Sequence, residues 1–462
     1  MCVYSKEDQG IIQREETTQK TTSHTKFKKS RYNFKTESDA GVRLFNARSG
    51  AVLDLSSADP HFHKFQEIWR QRTFLLSDHE WLPALAECGF LIPQKEDEVS
   101  DYIGSFEGKR INSDYLNLIL MPTEECNFRC VYCYESFLNR EMSHDIQDAL
   151  KRLILSAALR VHIFFIEWFG GEPLLGIDVI REISGYSINV ANQYGISYKA
   201  AMTTNGYLLS PEVFEEAVNE WRIGRFQITI DGPKTFHDER RHLISGEPTF
   251  DVVISNLEYV ARSSFPNFIY IIRMNIDRDN LHTLREFANL IKDIVGDDHR
   301  ARFFARPAWG KSSFELLTSV EVRDLQREMV EICRSVGLHL YDPDLFLNPQ
   351  VGMCYAADPH CFVIGSNGSV YKCTSDFELE ENLVGRLAPD GTLALDRRKL
   401  GLWVDSMIGK FQECQRCVVL PLCNCSHCPK THIVYPENEK AGGVPPCVPY
   451  KNQIKLLLKA AQ

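Results

Sequence analysis

Three cysteines fall within eight residues, Cys126, Cys130 and Cys133, in the spacing C-x3-C-x2-C. Eight more form a second knot: Cys354-x6-Cys361-x11-Cys373, then Cys414-x2-Cys417-x5-Cys423-x4-Cys428-x18-Cys447. A chain of 462 residues with 15 cysteines is too long for a small disulfide scaffold, so the thiols read as metal ligands or redox groups in a reducing compartment. A core that is partly inorganic is therefore expected. The apolar content of 44% and charged content of 25% describe a globular chain of several domains. A net charge of −10 argues against a general nucleic-acid partner. No apolar run approaches the ~20 residues of a membrane span. The polar start MCVYSKEDQG is unlike a signal peptide, so a cytoplasmic protein without a membrane partner is expected.

Composition and periodicity suggest four segments. Residues 1–25 read as a flexible polar tail with a basic end. Residues 26–110 read as a small α+β domain and its connector. YNFKTE, VRLFNARSG and AVLDLS form three short strands there, helices lie near His61–Arg72 and Asp78–Cys88, and an acidic connector runs from Gln94 to Arg110. Residues 111–340 alternate strand and helix. The strand candidates are Leu116–Met121, His162–Phe169, Tyr198–Thr204, Arg225–Ile230, Phe268–Ile276 and Ala301–Pro307. Six such units predict a parallel α/β sheet, possibly closed only in part, with its chemistry at the strands' carboxyl ends. Residues 341–462 form a loop- and cysteine-rich module. It opens on a hairpin turning at Asn367-Gly368 and ends in a short helix, KNQIKLLLKAA.

Three thiolates in one tight loop can hold three irons of a 4Fe–4S cube, leaving the fourth iron open to a small chelating ligand. The alternatives are a zinc knuckle short of one ligand, or thiols brought together by chance. Gly170 and Gly171 would let a ligand approach the backbone, and Glu172 can accept a charge-assisted hydrogen bond. Asn205-Gly206 reads first as a turn. Arg273 and Asn275 are half-buried strand polars able to reach a cavity.

C-x3-C-x-aromatic-C after the first strand, with Gly-Gly-Glu-Pro after the second, resembles the radical S-adenosylmethionine (SAM) superfamily. Thr229-Ile230-Asp231-Gly232-Pro233 followed by His237-Asp238-Glu239-Arg240-Arg241 is similar to a stretch of its peptide-modifying branch. The resemblance implies a partial (β/α)6 barrel in which Cys126, Cys130 and Cys133 hold the cube whose open iron binds SAM. It further implies that Glu172 meets the methionine ammonium, Tyr132 lies against adenine, Thr229 contacts the ribose, and Arg241 contacts the carboxylate or ribose. An electron donor such as flavodoxin or ferredoxin is implied with it.

By spacing alone, the eight later thiols suit two zinc ions or two iron–sulfur clusters equally. Beside the first motif they resemble the SPASM extension, whose G-x4-C signature is matched by Gly368 to Cys373. That resemblance implies one auxiliary 4Fe–4S cluster on Cys354, Cys361, Cys373 and Cys428, and another on Cys414, Cys417, Cys423 and Cys447. With the catalytic cube this makes three clusters. The chain has four residues where the family usually has three before the penultimate cysteine, which leaves Cys425 as an alternative to Cys428. Cys2, Cys88 and Cys333 have no assigned ligation.

SPASM proteins act mostly on peptides, so the expected substrate is a ribosomally made precursor peptide with a leader segment. In outline, residues 31–96 resemble the winged-helix leader-recognition domain of many peptide maturases. A sulfatase-type formylglycine maturase is the alternative. Against it, Thr374 stands where those enzymes carry aspartate, and over a hundred residues precede the first cysteine loop. A non-catalytic leader-binding protein with structural clusters is the alternative of another class.

Overall fold

The computed structural model describes residues 25–111, 114–135, 137, 140–308, 319–341, 354–405, 412–423, 428–434 and 454. The tail as far as residue 24, Cys2, Cys425, Cys447 and all but Ile454 of the terminal helix lie outside the described residues. Contacts divide the chain into two units. One comprises Met1–Ile111, Pro343–Cys354 and Ser406–Gln462; the other comprises Asn112–Asp342 and Tyr355–Asp405. This division differs from the four consecutive segments expected.

In the first unit, β2 (Asn33–Ser38), β3 (Gly41–Asn46) and β4 (Val52–Ser56) form the expected antiparallel meander, and β1 (Lys26–Lys29) precedes them. Helices α1 (Phe62–Trp69) and α2 (Leu82–Glu87) flank the short strand β5 (Phe74–Leu75). Strand β6 (Leu91–Pro93) and helix α3 (Glu98–Ile111) follow. α1 buries Phe62, Phe65, Ile68 and Trp69 on one face, against Val42, Leu44 and Phe74. The basic stretch Lys26–Lys29 is the central strand of a second sheet, between β5 and β6. Its four residues are too few to show a strand period, which hid it in the sequence.

The connector expected over Gln94–Arg110 is mostly α3. Asp97 caps it, accepting from the backbone and hydroxyl of Ser100. Glu98 in the first turn accepts from Ser30 Oγ (2.5 Å) and Arg31 N (2.9 Å). Gly104 and Gly108, which suggested a loop, stand where an added Cβ would meet nothing, so they cost propensity without breaking the helix.

The second unit carries the six parallel strands in chain order: β7 (Tyr115–Leu120), β8 (Ile163–Trp168), β9 (Ser197–Thr204), β10 (Ile223–Thr229), β11 (Ile269–Ile276) and β12 (Ala301–Pro307). Between and after them run α4 (His144–Ala157), α5 (Ile177–Tyr194), α6 (Pro211–Asn219), α7 (Lys234–Arg240), α8 (Phe250–Arg262), α9 (Leu284–Val295) and α10 (Ser319–Val336). α8 buries Phe250, Val253, Leu257 and Val260 at helical spacing. The strands do not close on one another. On its outer side β7 pairs in parallel with β13 (Cys361–Ile364), which turns into β14 (Ser369–Tyr371), β15 (Leu383–Leu387) and β16 (Leu393–Leu395). The expected hairpin therefore extends the barrel sheet, and α11 (Arg397–Val404) follows it.

The chain then returns to the first unit as α12 (Gln412–Gln415), α13 (Leu420–Cys423) and α14 (Pro429–Val434). Cys414, Val419, Leu420, Leu422 and Ile454 share one core with Tyr32 and Phe45 of the meander, against which Tyr102 and Phe106 of α3 also pack. Among the described residues, no helix is long and apolar enough to cross a membrane.

Candidate functional site

The chemistry-bearing residues gather at the carboxyl ends of β7 to β11. After β7 the chain forms a loop that ends in the three thiols. Backbone bonds pin this loop to the segment after α7: Arg129 N donates to His242 O (2.9 Å), Val131 N to Arg240 O (3.0 Å) and Ile244 N to Asn127 O (3.0 Å). Phe128 inside the loop is fully buried. The Cys126 Sγ accepts from Phe128 N (3.4 Å) and from Asn205 Nδ2 (3.9 Å).

Burial pushes up the thiol pKa of all three cysteines: Cys126, where the Glu172 carboxylate adds to the rise; Cys130, where Arg241 opposes it; and Cys133, to about 12. Left alone they stay protonated, and only a bound metal would take them as thiolates. Among the described residues, no three His, Cys, Asp or Glu side chains converge on a single metal ion. A cube asks for a different arrangement, one thiolate on each of three irons.

Gly170 and Gly171 are required by the packing of the backbone itself. A Cβ at Gly170 would lie 2.4 Å from Thr123 O, and one at Gly171 would lie 2.3 Å from Glu125 O. The two glycines let the turn after β8 cross the start of the cysteine loop, where Glu172 N donates to Glu125 O (2.9 Å). Glu172 is fully buried and accepts from Leu174 N (3.1 Å), Thr204 Oγ1 (2.8 Å) and Asn205 N (2.7 Å). Burial lifts its pKa to about 7 against the pull of those donors. A carboxylate has about four acceptor positions, so one remains for a cationic ligand.

Tyr132 is held by its hydroxyl, which donates to Asp231 Oδ2 and accepts from Arg241 Nη1 (2.6 Å) and Asn275 Nδ2 (2.9 Å). The Arg240 guanidinium lies 5.4 Å from its ring centre and pairs with Asp277 at 2.7 Å. Thr229 is buried at the last position of β10, beside Arg273. Arg241 is 6% exposed, and its buried Nε–H has no hydrogen-bond partner among the described residues. An orphaned guanidinium donor whose charge acts on Cys130 fits an anionic ligand group at the loop. The thiol set, its N–H···S donors, the spare acceptor on Glu172 and the spare donor on Arg241 together fit a cube with SAM beside it.

Sequence reasoning undervalued two residues and missed a third. Asn205 makes a turn, Gly206 following at φ +82°, but it also bonds Cys126, Asn127 and Glu172. Asn275 holds the Tyr132 hydroxyl. Asp231, read only as part of a motif, is fully buried and also accepts from Asn275 N (2.9 Å). His237 and Asp238 of the same motif are structural. His237 Nδ1 accepts from Asp231 N (3.3 Å), and Asp238 caps α8 by accepting from Thr249 N and Phe250 N.

In the hairpin, Asn382 accepts from Lys372 N and Cys373 N and donates to Cys373 O and Asp376 O, and Ser375 N lies 3.4 Å from Cys373 Sγ. Cys361 is fully buried beside Ile119 and Met121. Cys354, Cys414, Cys417, Cys423 and Cys428 belong to the first unit.

Residues 120–291 match the Radical SAM superfamily model. The chain is 25% identical over 353 residues to the serine-type anaerobic sulfatase-maturating enzyme of Bacteroides thetaiotaomicron, covering 67% of this chain and 81% of that one. It is 25% identical over 338 residues to the cysteine-type anaerobic sulfatase-maturating enzyme of Clostridium novyi, covering 67% and 86%. The solved structure of anSMEcpe with bound AdoMet shares the fold at a TM-score of 0.54 and 17% identity, over 67% of this chain and 88% of that one. Residues 120–291, which carry the cysteine loop at the head of the parallel strands, thus form a radical SAM domain.

Proposed function

We propose that this protein reductively cleaves SAM and uses the resulting 5′-deoxyadenosyl radical to abstract hydrogen from a ribosomally made precursor peptide. The observation that carries this reading is the loop of Cys126, Cys130 and Cys133, pinned between Glu172 and Arg241. When bound, the cube supplies one electron to the sulfonium of SAM. Cys126, Cys130 and Cys133 would hold it, with Asn205 and Phe128 N donating to the first sulfur. Glu172 offers its free lone pair to the ammonium of SAM, and Arg241 Nε–H offers a donor to its carboxylate. The buried Tyr132–Asp231–Asn275 network keeps the loop in place. The two further four-cysteine sets are proposed as holders of auxiliary clusters, the first unit as the leader-binding part, and a ferredoxin or flavodoxin as the electron source.

A second reading, a sulfatase-type formylglycine maturase, is favoured by the names of the two relatives. Against it, Thr374 stands where the resemblance expects an acid, and Tyr355 OH bonds both its hydroxyl (2.7 Å) and its backbone N (3.0 Å). The test is anaerobic turnover of reconstituted protein with dithionite and SAM, read as 5′-deoxyadenosine and methionine. It is joined to the mass of the peptide encoded beside the gene after co-expression, and of a Cys- or Ser-containing sulfatase peptide. Loss of turnover in Cys126→Ala is expected, and its retention would overturn the reading.

A further inference from the structure

We propose that the inner wall of the barrel at the ends of β11 and β12 is an anion subsite in which Arg273, with Arg306 beside it, receives a carboxylate of the substrate. This rests on the peptide reading above and adds that the segment entering the barrel is acidic.

Arg273 and Asn275 are two apart on β11 and share a face. Arg273 Nε donates to Asn275 Oδ1 (3.0 Å), and Asn275 Nδ2 reaches Tyr132 in the cysteine loop. That face is therefore the one turned toward the proposed radical chemistry. The β11–β12 register places Phe304 opposite Arg273 and Arg306 opposite Asn275. Both guanidiniums lie by the Phe304 ring, at 6.0 and 5.9 Å from its centre. Two cations thus flank one aromatic ring at the carboxyl end of the barrel, where ligands of such folds bind.

The pairing of Arg273 sets it apart. Arg240 holds Asp277 at 2.7 Å and Arg300 holds Asp298 at 2.8 Å, whereas among the described residues no carboxylate lies within ion-pair distance of Arg273. The carboxylate whose charge it feels, Asp231, is committed to Tyr132, Asn275 N and Arg240. Desolvation lowers the pKa of Arg273, and the charge of Arg306 lowers it further. A partly buried guanidinium with no counter-charge among the described residues is costly to keep, and a bidentate carboxylate is the group that matches its fork. Two sources carry that group, an Asp or Glu side chain and a free chain terminus.

The test is equilibrium binding of short peptides to the reconstituted full chain with SAM, measured by calorimetry. The probes are blocked Gly-Gly-Xaa-Gly-Gly peptides with Asp, Glu, Asn, Gln or Lys at the centre, and pentaglycine with a free or an amidated terminus. The acidic peptides are expected to bind about tenfold or more tighter than their amide counterparts. Tighter binding of free-terminus pentaglycine would instead assign the subsite to a chain end. In Arg273→Gln the acid-to-amide ratio is expected to fall to about one, and in Arg273→Lys to recover in part, the amide peptide serving as the reference within each variant. Equal binding of acid and amide by the wild type, a preference that survives Arg273→Gln, or no binding of any probe would overturn the proposal. Because the readout is binding, a failure of SAM cleavage would sink the proposed function without touching this result.

Discussion

The two cysteine-bearing regions of this protein are built in opposite ways. The first loop is held by polar chemistry from four strand ends. Cys126 accepts two N–H donors, Glu172 accepts three, and Tyr132 joins Asp231, Arg241 and Asn275. Cys414 and Cys423 of the first unit sit on helices of four residues, α12 and α13, too short to be stable alone. Their support is apolar, Val419, Leu420 and Leu422 against Tyr32 and Phe45. A loop that must present an open iron to a ligand needs its geometry set beforehand. A closed four-thiolate site can draw order from the metal itself.

The largest break in this comparison is expected from Cys126→Ala, which should abolish 5′-deoxyadenosine formation while leaving the melting of the first unit unchanged. Iron chelation should next separate the regions by hydrogen exchange. Residues 412–423 should open by several kcal/mol in the manner of metal-dependent modules, while β7 to β12 keep their protection. Equal loss in both regions would undo the comparison. Asn382→Ala strips the Cys373 turn of four hydrogen bonds, three of them buried, and should cost roughly 3 kcal/mol, read by chemical denaturation, with a matching drop in iron content. Gly171→Ala drives a Cβ into the Glu125 carbonyl. It should cost about 2 kcal/mol and lower iron incorporation in the first loop, whereas Gly104→Ala on the open face of α3 should be neutral or slightly stabilising.

The smallest effect is a pH slope. Burial, with Arg241 adding to it, holds the pKa of His237 well below 6.5, and the ring accepts from Asp231 N as a neutral imidazole. Below pH 6.5 the unfolded chain gains a proton that the folded one refuses. Stability is therefore full above that value and falls with acidification by up to about 1.4 kcal/mol per pH unit. His237→Gln should flatten that slope in urea titrations between pH 5 and 7; an unchanged slope would show that His237 does not carry it.

Much of the barrel was legible, because strand and helix periods are local. The six strands lie within a residue or two of their expected places, from β7 to β12. The thiol loop was legible because ligand chemistry requires particular residues at close spacing. Asp231 was not, since an Asp-Gly-Pro run reads as a turn until Tyr132 and Asn275 are brought to it. Helix α3 was missed because its glycines and acids suggest a loop, while Tyr102, Ile103 and Phe106 find their core among Tyr32 and Phe45 of the meander and residues more than three hundred positions further on. The reason for Gly170 and Gly171 was likewise hidden, because the carbonyls that demand them belong to Thr123 and Glu125.

By itself the sequence determined the alternation that builds a parallel barrel and the thiol spacing that marks its chemistry, since both are written in neighbouring residues. Only the tertiary structure decided that Asn205 reaches Cys126 and that, among the described residues, Arg273 stands without a carboxylate partner. It also decided that the C-terminal helices share a core with the N-terminal meander. Each of these depends on contacts between distant parts of the chain, which no local period records.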